Sequence, residues 1–380
     1  MLLLFYIYMS IMKFAFVHCR IFPWWALNVF QDLIKKDFAN PENKISHSQI
    51  FTLVSDSKYL EIGNIKIKVK TALPWWINQI FLYFTNHKFP ILSQIFDYRN
   101  LIFFYPSLTR LLSKKIKKYK PDHITISSFA ISKNITIPDW CKSKLYLHSP
   151  MQYIRSHYDE YANKIRWRKW LLFKFIVKKL RKRDKKFTKF DICYANSNYT
   201  AKLAKETYWI DCQIKYPKVN KEYFDTMIST NPKDYYVYVW RLVNFVRESD
   251  LIIKLFNQIR LPLIVIWSWP DELYLKSIAW DTIIFTWRWP TWMIDIIKNS
   301  KWLINLTKES FGLWTAEALL LWVPVFGYNQ WATSELVDKE SWILVDNKYM
   351  KTLIEKFQVF TNTKRNRNII AQNIRKKLKN

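Results

Sequence analysis

The segment that decides the fold runs from Glu309 to Val325 and reads ESFGLWTAEALLLWVPV. It follows the apolar run Leu303 to Leu306, a buried-strand pattern, and leads into a helical pattern over Thr315 to Leu321. A strand feeding a helix in this way is half of a βαβ unit. At the junction, Gly312 permits close approach of backbone to a ligand. The helix start offers free N–H groups to an anion or a sugar oxygen. Two carboxylates sit eight positions apart, Glu309 in the loop and Glu317 in the helix. Alone, such a pair reads equally well as a helix cap plus a surface glutamate. The whole string is more specific.

Outward from this segment, short apolar runs alternate with helix-like stretches. Candidate strands are Phe14 to Val17, Ile124 to Ser127, Lys144 to Leu147 and Ile192 to Ala195. A second series comprises Tyr235 to Val239, Leu263 to Ile266, Ile283 to Phe285, Leu303 to Leu306, Pro324 to Phe326 and Ile343 to Val345. Helical periodicity marks Asp250 to Gln258. Near-continuous apolar strands alternating with helices predict an α/β chain whose parallel sheets are covered on both faces. The stretch Tyr216 to Lys233 has no strong periodicity and carries two prolines, which makes it the interdomain connection. The expected domains are 12–217 and 234–360, with 361–380 a basic, closing helical tail. Met12 is the expected true start, because Lys13 to His18 looks like the first buried strand.

The composition carries an anomaly. The chain has 3 Gly and 20 Trp in 380 residues, whereas ordinary usage of about 7% implies roughly 27 glycines. The tryptophans fall where turns are expected. Trp24-Trp25 follow Pro23, and Trp75-Trp76 follow Pro74. Trp267 and Trp269 precede Pro270, and Trp287 and Trp289 precede Pro290. Such positions favour positive φ and hence glycine. The pattern is what results when a gene that reads UGA as glycine is translated with UGA as tryptophan. The alternative is a genuinely Trp-rich chain that stacks indoles on carbohydrate. Trp167 and Trp170 are candidates for true tryptophan under either reading.

Lys and Arg number 60 against 30 Asp and Glu, a formal net charge of +30. Nucleic acid and anionic membranes are the partners such a charge attracts. No zinc finger or arginine-to-base motif is present, so nucleic acid is not expected. The charge is densest over 164–189, where only Asp184 is acidic. Leu171, Leu172, Phe175, Ile176 and Leu180 recur there near helical spacing. A basic amphipathic helix of this kind can lie on an anionic membrane surface; the plain alternative is a solvated basic face. Half of the residues are hydrophobic, which argues against disorder. The apolar start is too short to span a bilayer. The four cysteines form no Cys-x-x-Cys pair, so reduced thiols are expected and no structural zinc site.

The decisive string resembles the E-x7-E helix start, followed by G-x-P-V, of the GT-B glycosyltransferases of family 4 (glycosyl transferases group 1). Further segments carry the resemblance over most of the chain. Tyr238-Val-Trp-Arg241-Leu-Val resembles V-G-R-L-V, and Trp267-Ser-Trp-Pro-Asp-Glu272 resembles G-S-G-P-D-E. Phe285-Thr-Trp-Arg288 resembles F-x-G-R. Trp331-Ala-Thr-Ser-Glu335 and Ser341-Trp-Ile-Leu-Val345 match a turn and a strand of the family. At each of these the family has Gly where this chain has Trp. The N-terminal half resembles the mannosyltransferase-like branch of O-antigen and exopolysaccharide assembly. The residues are Val17-His18, Pro23-Trp24-Trp25-Ala26, His148-Ser-Pro-Met-Gln-Tyr153, Tyr158-Asp-Glu-Tyr161, Ala195-Asn-Ser-Asn-Tyr199 and Tyr216-Pro-Lys-Val219.

The resemblance implies two Rossmann-like domains facing across a cleft. It implies transfer of a hexose, mannose in that branch, from a nucleotide-diphosphate sugar to a glycan or lipid-linked acceptor, with retention at the anomeric carbon. The sugar nucleotide is a co-substrate; no cofactor and no metal are implied. Cationic groups would neutralise the leaving diphosphate. Arg241 matches the family's arginine. The family's following lysine falls on Val246, so Arg247 is the substitute, one residue out of register. Glu317 would accept from the ribose hydroxyls and Glu309 would bind the donor sugar. The Phe311-Gly312-Leu313 backbone would meet that sugar too. His148 would lie near it from the N-terminal side; the alternative is a core histidine after a strand. The Trp24-Trp25 loop, read as glycine, would admit the diphosphate and acceptor. The enzyme would work in the cytoplasm, peripheral at the inner face of the membrane. If the tryptophans are genuine, indoles at 24, 25, 240, 267, 269 and 314 crowd the cleft at about 1–3 kcal/mol each. The chain would then be an inactive sugar- or lipid-binding relative.

Overall fold

The first strand, β1 (Met12–Ile21), buries six consecutive residues from Phe14 to Cys19. A strand buried on both faces is central to a parallel sheet. In this computed structural model the described residues are 12–22, 25–86, 104–164, 167–219, 223, 232–239, 247–266, 271–286, 290–337, 341–361 and 367–378. The chain divides into two compact units. The first comprises Met1–Tyr158, Ile165–Asn196 and Thr200–Ile214; the second comprises Asp159–Lys164, Ser197–Tyr199 and Lys215–Asn380.

In the first unit, β1 is joined by β2 (Ile45–Ser55), β3 (Tyr59–Ile62), β4 (Ile65–Thr71), β5 (His123–Ser128), β6 (Lys142–Leu147), β7 (Ile192–Ala195) and β8 (Gln213–Ile214). Their order is β3-β4-β2-β1-β5-β6-β7-β8. All pairs are parallel except β3 with β4, a hairpin that turns at Gly63 (φ 59°). In β4 the residues Lys66, Lys68 and Lys70 alternate outward from Ile67 and Val69. Successive β1 side chains serve opposite faces. Phe14 and Phe16 pack with Leu27, Phe30 and Ile34 of α1 (Trp25–Ala39). Ala15, Val17 and Cys19 share a core with α2 (Trp75–Asn86), α3 (Tyr105–Tyr119), α5 (Trp167–Asp184) and α6 (Asn198–Tyr208). The short α4 (Tyr158–Lys164) precedes α5.

The structure revises the reading of the basic segment. A helix forms, yet its apolar residues do not share one face. Val177 and Leu180 are buried, and Ile176 packs against the core. Leu171 and Phe175 remain exposed beside Trp170 and lysines 174, 178 and 179. Asp184, the one acidic residue of the stretch, is fully buried. Its carboxylate takes Lys133 Nζ at 2.9 Å and the Tyr208 hydroxyl at 2.6 Å, with Arg155 at 3.6 Å. Lys133 Nζ also donates to the Asp184 carbonyl and to Asn134 Oδ1.

The reduced-thiol expectation holds for Cys19 and Cys141 only, which are free and buried. Cys193 and Cys212 form a disulfide with Cα atoms 4.6 Å apart, because parallel pairing of β7 and β8 brings them together. Closing a loop of 19 residues restricts the unfolded chain, an effect worth about 3 kcal/mol. Thiol reductant is therefore expected to lower the urea midpoint. An unchanged midpoint would show that the bond contributes nothing to stability.

The second unit is a parallel sheet of β9 (Tyr236–Val239), β10 (Leu263–Ile266), β11 (Ile283–Thr286), β12 (Trp302–Asn305), β13 (Val325–Tyr328) and β14 (Trp342–Val345), ordered β11-β10-β9-β12-β13-β14. Its helices include α7 (Ser249–Ile259), α8 (Glu272–Ile278), α9 (Pro290–Lys298), α10 (Leu313–Leu320), α11 (Thr333–Leu336), α12 (Met350–Thr361) and α13 (Arg367–Leu378). Val237 and Val239 face the core with α10 and α13, while Tyr236 and Tyr238 face α7 and α12. No described helix is long and apolar enough to cross a membrane.

The tryptophan positions separate into groups. Trp75 and Trp76 are not turn residues, as the sequence suggested; they open α2 directly after Pro74. Trp25 likewise opens α1, and Trp314 is the second residue of α10. Trp322 and Trp331 do lie in the left-handed region, at φ 69° and 60°, as does Trp209 at 57°. Residues 24, 240, 267, 269, 287 and 289 lie outside the described residues.

Candidate functional site

In an open α/β sheet, ligands bind beyond the carboxyl ends of the strands where the strand order reverses. In the second unit that point lies between β9 and β12, which pair Val237 with Leu303. The chain leaving β12 is the loop 306–312, the centre of the decisive sequence.

This loop is held from below by Asn305. Its Nδ2 donates to Thr315 Oγ1 at 2.8 Å, while its Oδ1 accepts from Thr307 N and Thr307 Oγ1. The loop's far side is fixed by Ala332 N donating to the Glu309 carbonyl at 3.1 Å. Gly312 precedes α10 with φ 86°, a conformation that L side chains rarely adopt. Phe311 and Gly312 are buried and Leu313 is half-buried.

Of the charged residues expected at the site, the structure brings two together. The Arg247 guanidinium forms an ion pair with the Glu309 carboxylate, both side chains partly exposed. Arg247 stands just before α7, after β9, so the two come from either side of the strand-order reversal. Glu317 lies one turn into α10. Burial raises its carboxyl to about 8, and a hydrogen bond from Tyr223 pulls it partly back. Arg241 lies outside the described residues, as does Trp24; the side chain of Trp25 does too.

The Glu317 shift has a measurable consequence. Between its ordinary value and about 8, the folded chain holds a proton that the unfolded chain has lost. Stability therefore falls as pH rises across that window, and the penalty is complete above it. Glu317→Gln is expected to remove this slope and to stabilise the ligand-free chain at alkaline pH. Calorimetric melts between about pH 5 and pH 9 check this; parallel wild-type and variant profiles would refute it.

In the first unit the strand order reverses between β1 and β5. His148 follows β6 and is buried. Ser127 Oγ of β5 lies 2.8 Å from His148 Nε2 and 3.0 Å from His18 Nδ1 of β1. Burial lowers His18 to about 3 and His148 well below its ordinary value, so both rings are neutral. Sequence reasoning had singled out His148 but gave no role to Ser127 or His18. Alternation along β5 could have flagged Ser127, a polar side chain in a buried strand.

No protein-family model matches the chain, and neither does any curated protein. Solved structures do match. A sucrose-phosphate synthase from Thermosynechococcus elongatus superposes with a TM-score of 0.69 at 12% identity, covering 97% of this chain and 94% of that one. WaaG, a glycosyltransferase involved in lipopolysaccharide biosynthesis, gives 0.61 at 12% identity over 96% and 95%. Anabaena HepE, solved with UDP and glucose, gives 0.59 at 13% identity over 97% and 99%. At these identities the likeness is one of architecture: the chain has two Rossmann-like α/β domains and the GT-B fold of these glycosyltransferase structures.

Proposed function

We propose that this chain is a retaining glycosyltransferase of family 4 that moves a hexose from a nucleotide-diphosphate sugar to a glycan or lipid-linked acceptor. The observation that carries the reading is the Arg247–Glu309 pair at the strand-order reversal, beside the glycine-led start of α10. A cation there can take up charge on a leaving diphosphate, and a carboxylate can accept from sugar hydroxyls. In the resting chain each neutralises the other, and donor binding would exchange that pair for ligand contacts. HepE, which shares the fold, binds UDP and glucose. Mannose is the sugar of the branch that the N-terminal half resembles. A screen of UDP- and GDP-hexoses tests this; release of nucleoside diphosphate with none of them contradicts it.

The native chain, on this reading, carries glycine at many of the written tryptophans. Support comes from Trp322 and Trp331 in the left-handed region, where a non-glycine residue costs about 1–3 kcal/mol. Trp322→Gly and Trp331→Gly are expected to raise stability by about 1 kcal/mol each in a chain made with tryptophan. A loss in urea denaturation would contradict the idea. The competing reading, an inactive sugar- or lipid-binding relative with genuine tryptophans, draws on Arg375, whose guanidinium lies 5.2 Å over the Trp322 ring.

An anionic membrane surface is the partner proposed for α5. Exposed Trp170, Leu171 and Phe175 stand among lysines, with Lys174 4.8 Å from the Trp170 ring and Lys179 4.3 Å from that of Phe175. Such a surface pairs apolar insertion with attraction to anionic lipid. It would place the enzyme at the cytoplasmic face of the membrane. Sedimentation with phosphatidylserine vesicles, lost in a Leu171→Glu/Phe175→Glu variant, is the expected result.

A further inference from the structure

We propose that the first unit binds a small organic carboxylate, one ring or one short branched chain in size, in a cavity at the amino ends of β1, β5, β6 and β7. The helix α1 covers the sheet face that carries Phe14 and Phe16, and it ends at Ala39. Next to that end lies a cavity of about 200 Å³. Phe14, His123, Lys142 and Ile192 line it from the strands, and Asn40 and Asn43 from the loop that follows α1. Ligands of an open α/β sheet gather beyond the carboxyl ends of its strands. This cavity is at the other end, so it is separate from His148 and from the site proposed for the sugar nucleotide.

Register sets its polar groups side by side. Phe14 pairs with His123, and His123 with Lys142, so the three side chains share one face. The carboxylates nearby are already engaged. Asp37 accepts from Thr125 Oγ1 at 2.6 Å and pairs with Lys144. Asp191 accepts from Ser143 N at 2.7 Å and from Ser143 Oγ at 2.8 Å. Lys142 has no ion-pair partner among the described residues, and the His123 ring nitrogens make no hydrogen bond there. An ammonium and a half-buried imidazole are therefore left for an anion to engage. Asp191 lines the same cavity and repels a second negative charge, so a monoanion fits better than a phosphate ester.

The apolar lining sets the rest of the ligand. The His123 ring stacks on Phe14 with centroids 4.7 Å apart and planes 3° apart. Ile192 is 41% exposed. An apolar body seated against these groups is stabilised in proportion to the area it removes from water. The volume lies between the roughly 150 Å³ that hosts benzene and the roughly 300 Å³ at which drug-sized sites begin. One ring, or one short branched chain, with one carboxylate fills it. The loop wall is in place beforehand, because Asn43 Nδ2 donates to the Asp37 carbonyl at 2.9 Å.

The test is calorimetric titration of the full-length chain with benzoate, beside benzamide, acetate and inorganic phosphate. Benzoate should bind saturably. Benzamide lacks the charge and acetate lacks the ring, so each should bind about tenfold more weakly or worse. Lys142→Met should weaken benzoate by about tenfold or more, as should His123→Phe, which keeps the stack on Phe14. Lys142 is exposed, so its variant decides the matter even if a change at His123 disturbs the sheet. Asp191→Asn should tighten binding. Burial and Lys142 lower the His123 ring pKa, with Lys144 adding to them and Asp122 and Asp37 opposing. Benzoate should raise it in an NMR titration, with His123 assigned by its loss in His123→Phe. Absence of saturable benzoate binding would overturn the proposal, as would binding unchanged in Lys142→Met or phosphate binding as tight as benzoate. Arg247→Ala should leave benzoate binding intact; its loss there would assign the carboxylate to the second unit and refute this site. None of these readouts needs turnover, so they stand apart from the enzyme reading.

Discussion

Asp184→Leu is expected to destabilise the first unit by about 3–5 kcal/mol, because it strands the ammonium of a lysine in the core. Lys133 is 1% exposed and Asp184 not at all. The carboxylate also accepts from Tyr208, and Arg155 stands beside it. A loss of that size is a large share of the 5–15 kcal/mol, roughly, that holds an ordinary domain together. The cost comes from leaving one charge unpaired, not from any large net worth of the pair. Lys133→Met/Asp184→Leu, which removes both charges, should therefore recover at least half of the loss. Urea denaturation of the single and double variants decides. Equal destabilisation in both would mean that Asp184 matters through its other partners alone.

Arg247→Ala is expected to reduce kcat about 100- to 1,000-fold, the scale seen when one preorganised group facing developing charge is lost. Glu309→Gln should show a different pattern. It frees Arg247 from its resting partner, so affinity for a bare nucleoside diphosphate should hold or rise while transfer of the sugar falls. Opposite movements of binding and turnover in Glu309→Gln would identify the pair as exchanged on donor binding. Near wild-type turnover in Arg247→Ala would remove that residue from the site.

Most of the parallel framework was legible in the sequence, since buried strands announce themselves as continuous apolar runs. Ile192 to Ala195 and Leu263 to Ile266 were placed at their observed limits. The strands that escaped notice are those without such a run. The first half of β2 is largely polar and at most partly buried, and β3 and β4 alternate buried Leu, Ile and Val with exposed Tyr, Glu and Lys because one face is wet. The two residues of β8 are too few to make a pattern.

The candidate site was legible in its second half only. The string from Glu309 to Glu317 marked the loop after β12 and the start of α10, because strand-to-helix junctions are local in sequence. The pairing of Arg247 with Glu309 joins two strand ends and has no local trace. The Ser127 bridge is of the same kind. Its three members come from β1, β5 and the end of β6, and only sheet register unites them. The apolar face expected in the basic segment failed for a related reason. Helical spacing places residues around an axis, but the sheet decides which side is inside, and it took Val177 and Leu180 rather than Leu171 and Phe175.

The central claim is that the loop from β12 to α10 binds a nucleotide sugar. Its most direct test is calorimetric titration of the natively expressed chain with UDP- and GDP-hexoses, in parallel with Arg247→Ala and Glu317→Ala. The account predicts saturable binding of at least one donor and its loss in both variants. No binding of any donor, or binding indifferent to both substitutions, would contradict it.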